Sequence, residues 1–321
     1  MSGAARRHAR SEPDACSIVW DRAQASALGT AATATFWVAL EQGGPWGRQA
    51  ATQSRLDPAV GMALDTSCKE RGGRLILIRR PGTHSNAYAD RPQRVYLAGG
   101  LADRPWLLQT DLDDPAQLLR LPWQALVAGD LNEVRASLPG LEESPGAILM
   151  ICANSKRDIC CAVRGRPVAI ESSAQRPGQV WECSHTGGHR FAPTGVLLPH
   201  GQTFARLTPE TAVAAVDAAA HGELPVALLG TAYDRGRSHL TPPEQAAEST
   251  VRQLVREPRL LALTTTAQRH PSRDDAWQCR VSHVDGRHWD VVTIRSSGGS
   301  DLPESCGSAA VPTWTWTCTL E

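Results

Sequence analysis

Residues 147–173 read AILMICANSKRDICCAVRGRPVAIESS: an apolar run, a short polar turn, then a segment of helical pattern. The run AILMICA carries no charge and predicts a buried strand. Cys152 stands at its end, and Cys160 and Cys161 follow eight and nine residues later, where the helix begins. The helical pattern breaks or stops near Gly165 to Pro167. A strand feeding a helix in this way points to an α/β fold. In such sheets ligands bind outside the carboxyl ends of the strands, where Cys152 is placed.

The pattern continues outward on both sides. Residues 180–191, VWECSHTGGHRF, give a second strand that ends in ECSH. His185 and His189 lie four positions apart around Gly187 and Gly188. Histidines at that spacing could share one face of a helix. A glycine pair inside a helix, however, costs about 1 kcal/mol per residue relative to alanine. Adjacent glycines suit a loop that needs positive φ or a close backbone approach. GVLLP and QTFARL then read as a hairpin around His200-Gly201. TPETAVAAVDAAAHG reads as a helix with Thr208 as N-cap, Pro209 at its first position and Gly222 closing it.

Upstream, TATFWVALEQ reads as a buried strand. A helix follows, with Asp57 as N-cap and Pro58 in its first turn. RLILIRR, QRVYLAG and RPWLLQT are three further strands, and PAQLLRLPWQALVAG is a helix kinked at Pro122. Both halves therefore run strand, helix, strand, strand, strand, helix. That is the order of a thioredoxin-like unit, and its recurrence predicts a diverged tandem repeat. Any α/β chain could also yield such a string. The first copy offers only Cys68 and His84 as soft ligands, too few for a metal site. Beyond Gly222, Thr241 to Glu244 form a capping box ahead of a helix, and Asp285-Gly286 marks a hairpin. PTWTWTCTLE at the end reads as an edge strand. The expected organisation is a disordered segment 1–14, an N-terminal thioredoxin-like unit 15–143, a second unit 144–222, and a helix-plus-hairpin extension 223–321.

Composition narrows the function. Thirty-three basic residues balance thirty-three acidic ones, so no nucleic-acid or anionic-membrane partner is implied. The basic start MSGAARRHARSEPDA lacks an apolar h-region, and no apolar run reaches about 18 residues. A cytoplasmic location is expected. Nine cysteines, an odd number in a chain without an export signal, argue against a disulfide framework. Four of them fall between Cys152 and Cys183, which favours metal or redox chemistry in one region. His84, His221, His270, His283 and His288 read as surface or satisfied core residues. Two cysteines and two histidines at one sheet edge are a different matter. Zinc is the default metal for a Cys₂His₂ set, and the Rieske centre is the precedent for an iron–sulfur cluster with two histidines.

CANSKRDICCAVRGRP together with VWECSHTGGHRFAPTGVLLPHGQTFARL resembles the sucrase/ferredoxin-like family, as does the upstream FWVALEQGGPWGRQA. The resemblance implies a thioredoxin-fold [2Fe–2S] ferredoxin with two cysteine and two histidine ligands. Carried over by position, these are Cys152, Cys161, His185 and His189, with Cys160 or Cys183 able to stand in for an assigned cysteine. Arg157 and Asp158 take a structural part, as an ion pair or cap. The implied function is electron transfer with a protein redox partner, reductase or acceptor, and no enzymatic step of its own. The alternative is a zinc-stabilised binding module on the same four residues. Glycoside hydrolysis needs two carboxylates flanking the bond, and no such pairing is recognisable. The chain has no C-x-x-C for dithiol exchange.

Overall fold

The computed structural model describes residues 15–82 and 91–321. The segment 1–14, expected to be disordered, and His84 lie outside them. Ten strands pair into one mixed sheet: β1 (Trp37–Glu41), β2 (Arg74–Arg79), β3 (Gln93–Gly99), β4 (Trp106–Leu112), β5 (Glu142–Glu143), β6 (Ile148–Cys152), β7 (Val180–Cys183), β8 (Gly195–Leu198), β9 (Gln202–Phe204) and β10 (Asp234–Arg237). Across this sheet the order is β10-β9-β8-β6-β7-β2-β1-β3-β4-β5. Four more strands, β11 (Leu263–Arg269), β12 (Ala276–His283), β13 (His288–Pro303) and β14 (Ala310–Leu320), form a second, antiparallel sheet in sequence order. The chain is α/β, as expected.

The helices are α1 (Cys16–Arg22), α2 (Ala50–Gln53), α3 (Pro58–Glu70), α4 (Trp123–Ala128), α5 (Leu131–Arg135), α6 (Arg166–Gln175), α7 (Pro209–Ala219) and α8 (Pro242–Val255). Their starts follow local chemistry. The Asp57 carboxylate accepts from the N–H groups of Ala59 and Val60 at 2.8 and 3.1 Å, and capping boxes open α7 at Thr208 and α8 at Thr241. Pro122 divides the segment 115–129 into a 3₁₀ turn, Pro115–Arg120, and α4.

The two halves repeat one strand order. β1 lies parallel to β2 and antiparallel to β3, which pairs with β4. In the same way β6 lies parallel to β7 and antiparallel to β8, which pairs with β9. α3 crosses between β1 and β2, and α6 crosses between β6 and β7. The halves join edge to edge where β2 pairs with β7, Ile78 opposite Cys183 and Arg79 opposite Glu182. Each half buries one face under its own helices: Val38, Leu40, Leu77 and Leu97 against Leu64 of α3, and Leu149, Ile151 and Leu197 against Val168 and Val216. The opposite faces share a single core in which Trp37, Ile76 and Tyr96 meet Met150, Cys152, Cys161, Trp181 and Cys183.

Two departures from the sequence reading bear on the site. The helix expected to break or stop near Gly165 instead runs through a π turn, Cys161–Gly165, directly into α6. Pro167 is the second residue of α6, directly after the π turn. A Cβ on Gly165 would lie 2.2 Å from the carbonyl oxygen of Cys152, so glycine lets the helix close on the strand end. Residues 223–321 are also not wholly peripheral, since β10 joins the large sheet beside β9. The turn between β13 and β14 returns to α1, where the Trp20 indole N–H donates to the carbonyl of Pro303 at 2.9 Å. Among the described residues no helix is long and apolar enough to cross a membrane.

Candidate metal centre

Cys152 is held at the carboxyl end of β6 by pairing on both sides. Its N–H donates to the carbonyl of Thr194 at 2.9 Å, and Ala153 donates to the carbonyl of Cys183 at 3.0 Å. Cys161 opens the π turn that faces it. π turns occur frequently at functional sites because they rotate a side chain out of the regular helical register. Both thiols are buried, at 1% exposure. A hydrogen bond links the two free thiols. The Cys161 thiol holds the Cys152 thiol well below its usual range, and the His185 ring adds to this while burial opposes it. The same bond, together with burial, pushes Cys161 up.

The histidine loop is anchored from both sides. Ser184 exchanges two bonds with Leu77 of β2, accepting at its hydroxyl from the Leu77 N–H at 3.1 Å and donating its own N–H at 2.8 Å. The hydroxyls of Thr186 and Thr194 meet at 2.7 Å. Gly187 and Gly188 both take left-handed backbone, φ 80° and 67°, as the loop reading requires. They bring the two imidazoles to ring centroids 6.2 Å apart. The Nδ1 atoms of both His185 and His189 are buried and have no hydrogen-bond partner. Burial pushes the His189 pKa down, opposed by Asp158, whose Oδ2 lies 3.7 Å from Nε2.

Beneath this loop lies a cation that the sequence reading did not single out. Arg235 on β10 is fully buried. It donates to the Gly187 carbonyl at 2.9 Å, to the Thr30 hydroxyl at 3.0 Å and to the Thr30 carbonyl. Burial, reinforced by Arg190, brings its pKa down to about 9, and the Cys152 and Cys161 thiols draw it back up. No spacing in the sequence marks Arg235, since its partners are 48 and 205 residues away.

The two alternatives differ in placement: Cys183 shares one core with Cys152 and Cys161, and Cys160 lies in another cluster. Cys183 is buried in the sheet core, and burial raises its pKa, followed by the charge on Cys152. The Cys160 side chain turns away from Cys161 and meets Cys16 and Cys306, two cysteines missed in the sequence. Asp158 is a cap, accepting from the Cys160 N–H at 2.8 Å. These four, Cys16, Asp158, Cys160 and Cys306, form a group that could hold a metal ion. Arg157, by contrast, lines a cleft of about 670 Å³ with Arg48, Lys69, Arg74, Ser184 and His185, so one imidazole edge opens towards a basic rim.

The sucrase/ferredoxin-like family model matches residues 27–227, which span both halves of the large sheet and all four assigned residues. No curated protein and no solved structure matches the chain. With the family pattern continuous over more than half of its length, the chain belongs to the sucrase/ferredoxin-like family.

Proposed function

We propose that the chain is an electron-transfer protein that holds one [2Fe–2S] cluster through Cys152, Cys161, His185 and His189, in the second of two thioredoxin-like units. One observation carries this reading. Two buried thiols in contact lie beside two imidazoles whose buried Nδ1 atoms have no partner. An unpartnered buried polar atom costs about 1–3 kcal/mol, and coordination to a metal would remove that cost. When bound, a [2Fe–2S] cluster supplies reversible one-electron transfer.

The residues around it suit that chemistry. The β6 end and the π turn fix the two sulfurs, and the twin glycines aim the imidazoles. Arg235 places a buried positive charge near both thiols, which favours a site that becomes more negative. Asp158 lies beside Nε2 of His189, where its carboxylate can accept a hydrogen bond from that nitrogen. The basic rim of the cleft at His185 suits a redox partner with an acidic surface. The first half buries Cys68 in its core and serves as scaffold.

The zinc reading is less well supported. One tetrahedral zinc holds its ligand atoms about 3.3–3.8 Å apart. Among the described residues, the group of three or more such atoms lying within 4.8 Å of one another is the separate Cys16, Asp158, Cys160 and Cys306 group. The four assigned residues do not form a group that tight.

Iron and acid-labile sulfide analysis of the purified chain tests the proposal, with about two of each expected per chain. Cys161→Ala should lose the iron and the visible absorbance, and Cys160→Ala should keep both. A colourless protein with no iron in any preparation would overturn the reading.

A further inference from the structure

Three cysteines far apart in sequence meet beside the candidate cluster site. Cys16 is the first residue of α1, Cys160 precedes the π turn, and Cys306 lies between β13 and β14. Their sulfurs form a closed triangle: Cys16 to Cys160 at 3.6 Å, Cys160 to Cys306 at 2.9 Å, and Cys306 to Cys16 at 3.5 Å. Cys16 and Cys160 are buried and Cys306 half-buried. The Asp158 carboxylate closes the group, with both oxygens 3.9 Å from the Cys16 sulfur. It is oriented by the N–H groups of Cys160 and Cys306, at 2.8 and 2.9 Å, and by the Ser305 hydroxyl at 2.8 Å.

We propose that this group is a second metal site, a structural zinc held by Cys16, Cys160, Cys306 and Asp158. Three soft thiolates and one carboxylate make a closed four-ligand set of the kind structural zinc takes. Zinc–sulfur bonds of about 2.3 Å place neighbouring sulfurs about 3.8 Å apart, so two edges of the triangle nearly fit and the third widens. A disulfide accounts for the arrangement less well. No pair stands near the roughly 2.05 Å of an S–S bond, and a disulfide would leave the third sulfur and the carboxylate unused.

The site also has structural work to do. Apart from the sulfurs, the local apolar cluster holds only Ala15, Ala192 and part-buried Ile18. The apolar attachment of the helix and the hairpin lies beside it, where Trp20 of α1 and Leu302 of β13 pack with Phe191. A zinc ion here ties together segments 144, 146 and 290 residues apart. It fixes Asp158, and through it the neighbourhood of His189.

The test is element analysis of the full chain grown with zinc and iron, and it does not depend on the iron reading. About one zinc per chain is expected. Cys16→Ser and Cys306→Ser should each lose the zinc and keep the wild-type iron content, while Cys152→Ser should lose iron and keep zinc. A wild-type chain without zinc, or zinc retained in both serine variants, overturns the site. So does a Cys160–Cys306 disulfide found by peptide mapping of the freshly isolated chain. Should the serine variants not fold, cobalt(II) titration of Cys152→Ser decides. Thiolate-to-cobalt absorbance saturating at about one equivalent supports the site, and its absence overturns it.

Discussion

Gly188→Ala puts the histidine loop under a load that can be worked out from its surroundings. The residue has φ 67° and ψ 41°, where a side chain costs about 1–2 kcal/mol. The added Cβ would lie 2.4, 2.7 and 3.0 Å from Nη2, Cζ and Nη1 of Arg235. That guanidinium has nowhere to go. It is buried and tied to Thr30 and to the Gly187 carbonyl. Moving it breaks at least one hydrogen bond from a buried charge, about 1.5–3 kcal/mol. The expected loss is therefore about 3–5 kcal/mol, a large share of a typical total stability. Gly187→Ala is the internal control. Its φ is 80°, but the nearest neighbour to its Cβ is Ala32 at 3.7 Å, so only the conformational cost of about 1–2 kcal/mol applies. Urea unfolding followed by tryptophan fluorescence should separate the two variants by about 2–3 kcal/mol, with unchanged slope. If Gly188→Ala lies within about 0.5 kcal/mol of Gly187→Ala, Arg235 is not the rigid support described.

Burial, with Arg237 adding to it, brings His200 and His239 down to about 4. Unfolding frees both to protonate near 6.5, so their contribution is intact above that pH and is lost as pH falls towards 4. The loss is up to roughly 3 kcal/mol for each, and replacing both by Gln should flatten unfolding curves over that window. Glu248 accepts from Arg237 at 2.8 Å and from Thr265 at 3.2 Å, with Arg252 at 3.4 Å, all buried. Glu248→Ala should cost about 3–5 kcal/mol in thermal or urea unfolding, and a loss under about 1 kcal/mol would mean that the cations find water. With two neutral imidazoles replacing two thiolates, the midpoint potential should lie above about −400 mV. It should fall by up to about 59 mV per pH unit where a proton follows the electron. A flat value near −400 mV in a spectroelectrochemical titration would count against histidine ligation.

Much of the local architecture was legible because it depends on neighbouring residues. Asp57, Thr208 and Thr241 cap their helices within three residues, and Pro122 breaks a helix by its own covalent structure. The glycine pair announced a left-handed loop whatever surrounds it. Cys152 could be placed at a strand end from the apolar run before it. The helix through Gly165 was misread for a complementary reason. What calls for glycine at that turn is the nearby Cys152 carbonyl, a tertiary neighbour that the local pattern does not contain.

By itself, then, the sequence determined the α/β order, the strand-end cysteines and the imidazole-bearing loop, all products of short-range periodicity, capping and backbone freedom. The tertiary structure decided which chemistry each group faces. Cys160 and Cys161 are neighbours in the chain, but successive helical residues project about 100° apart. One therefore meets Cys152 and the other meets Cys16 and Cys306. Arg235 under the loop, and the return of the β13–β14 turn to α1, likewise depend on contacts between residues 48 to 290 positions apart. No local pattern encodes such a contact, because it exists only once sheet and helices have packed.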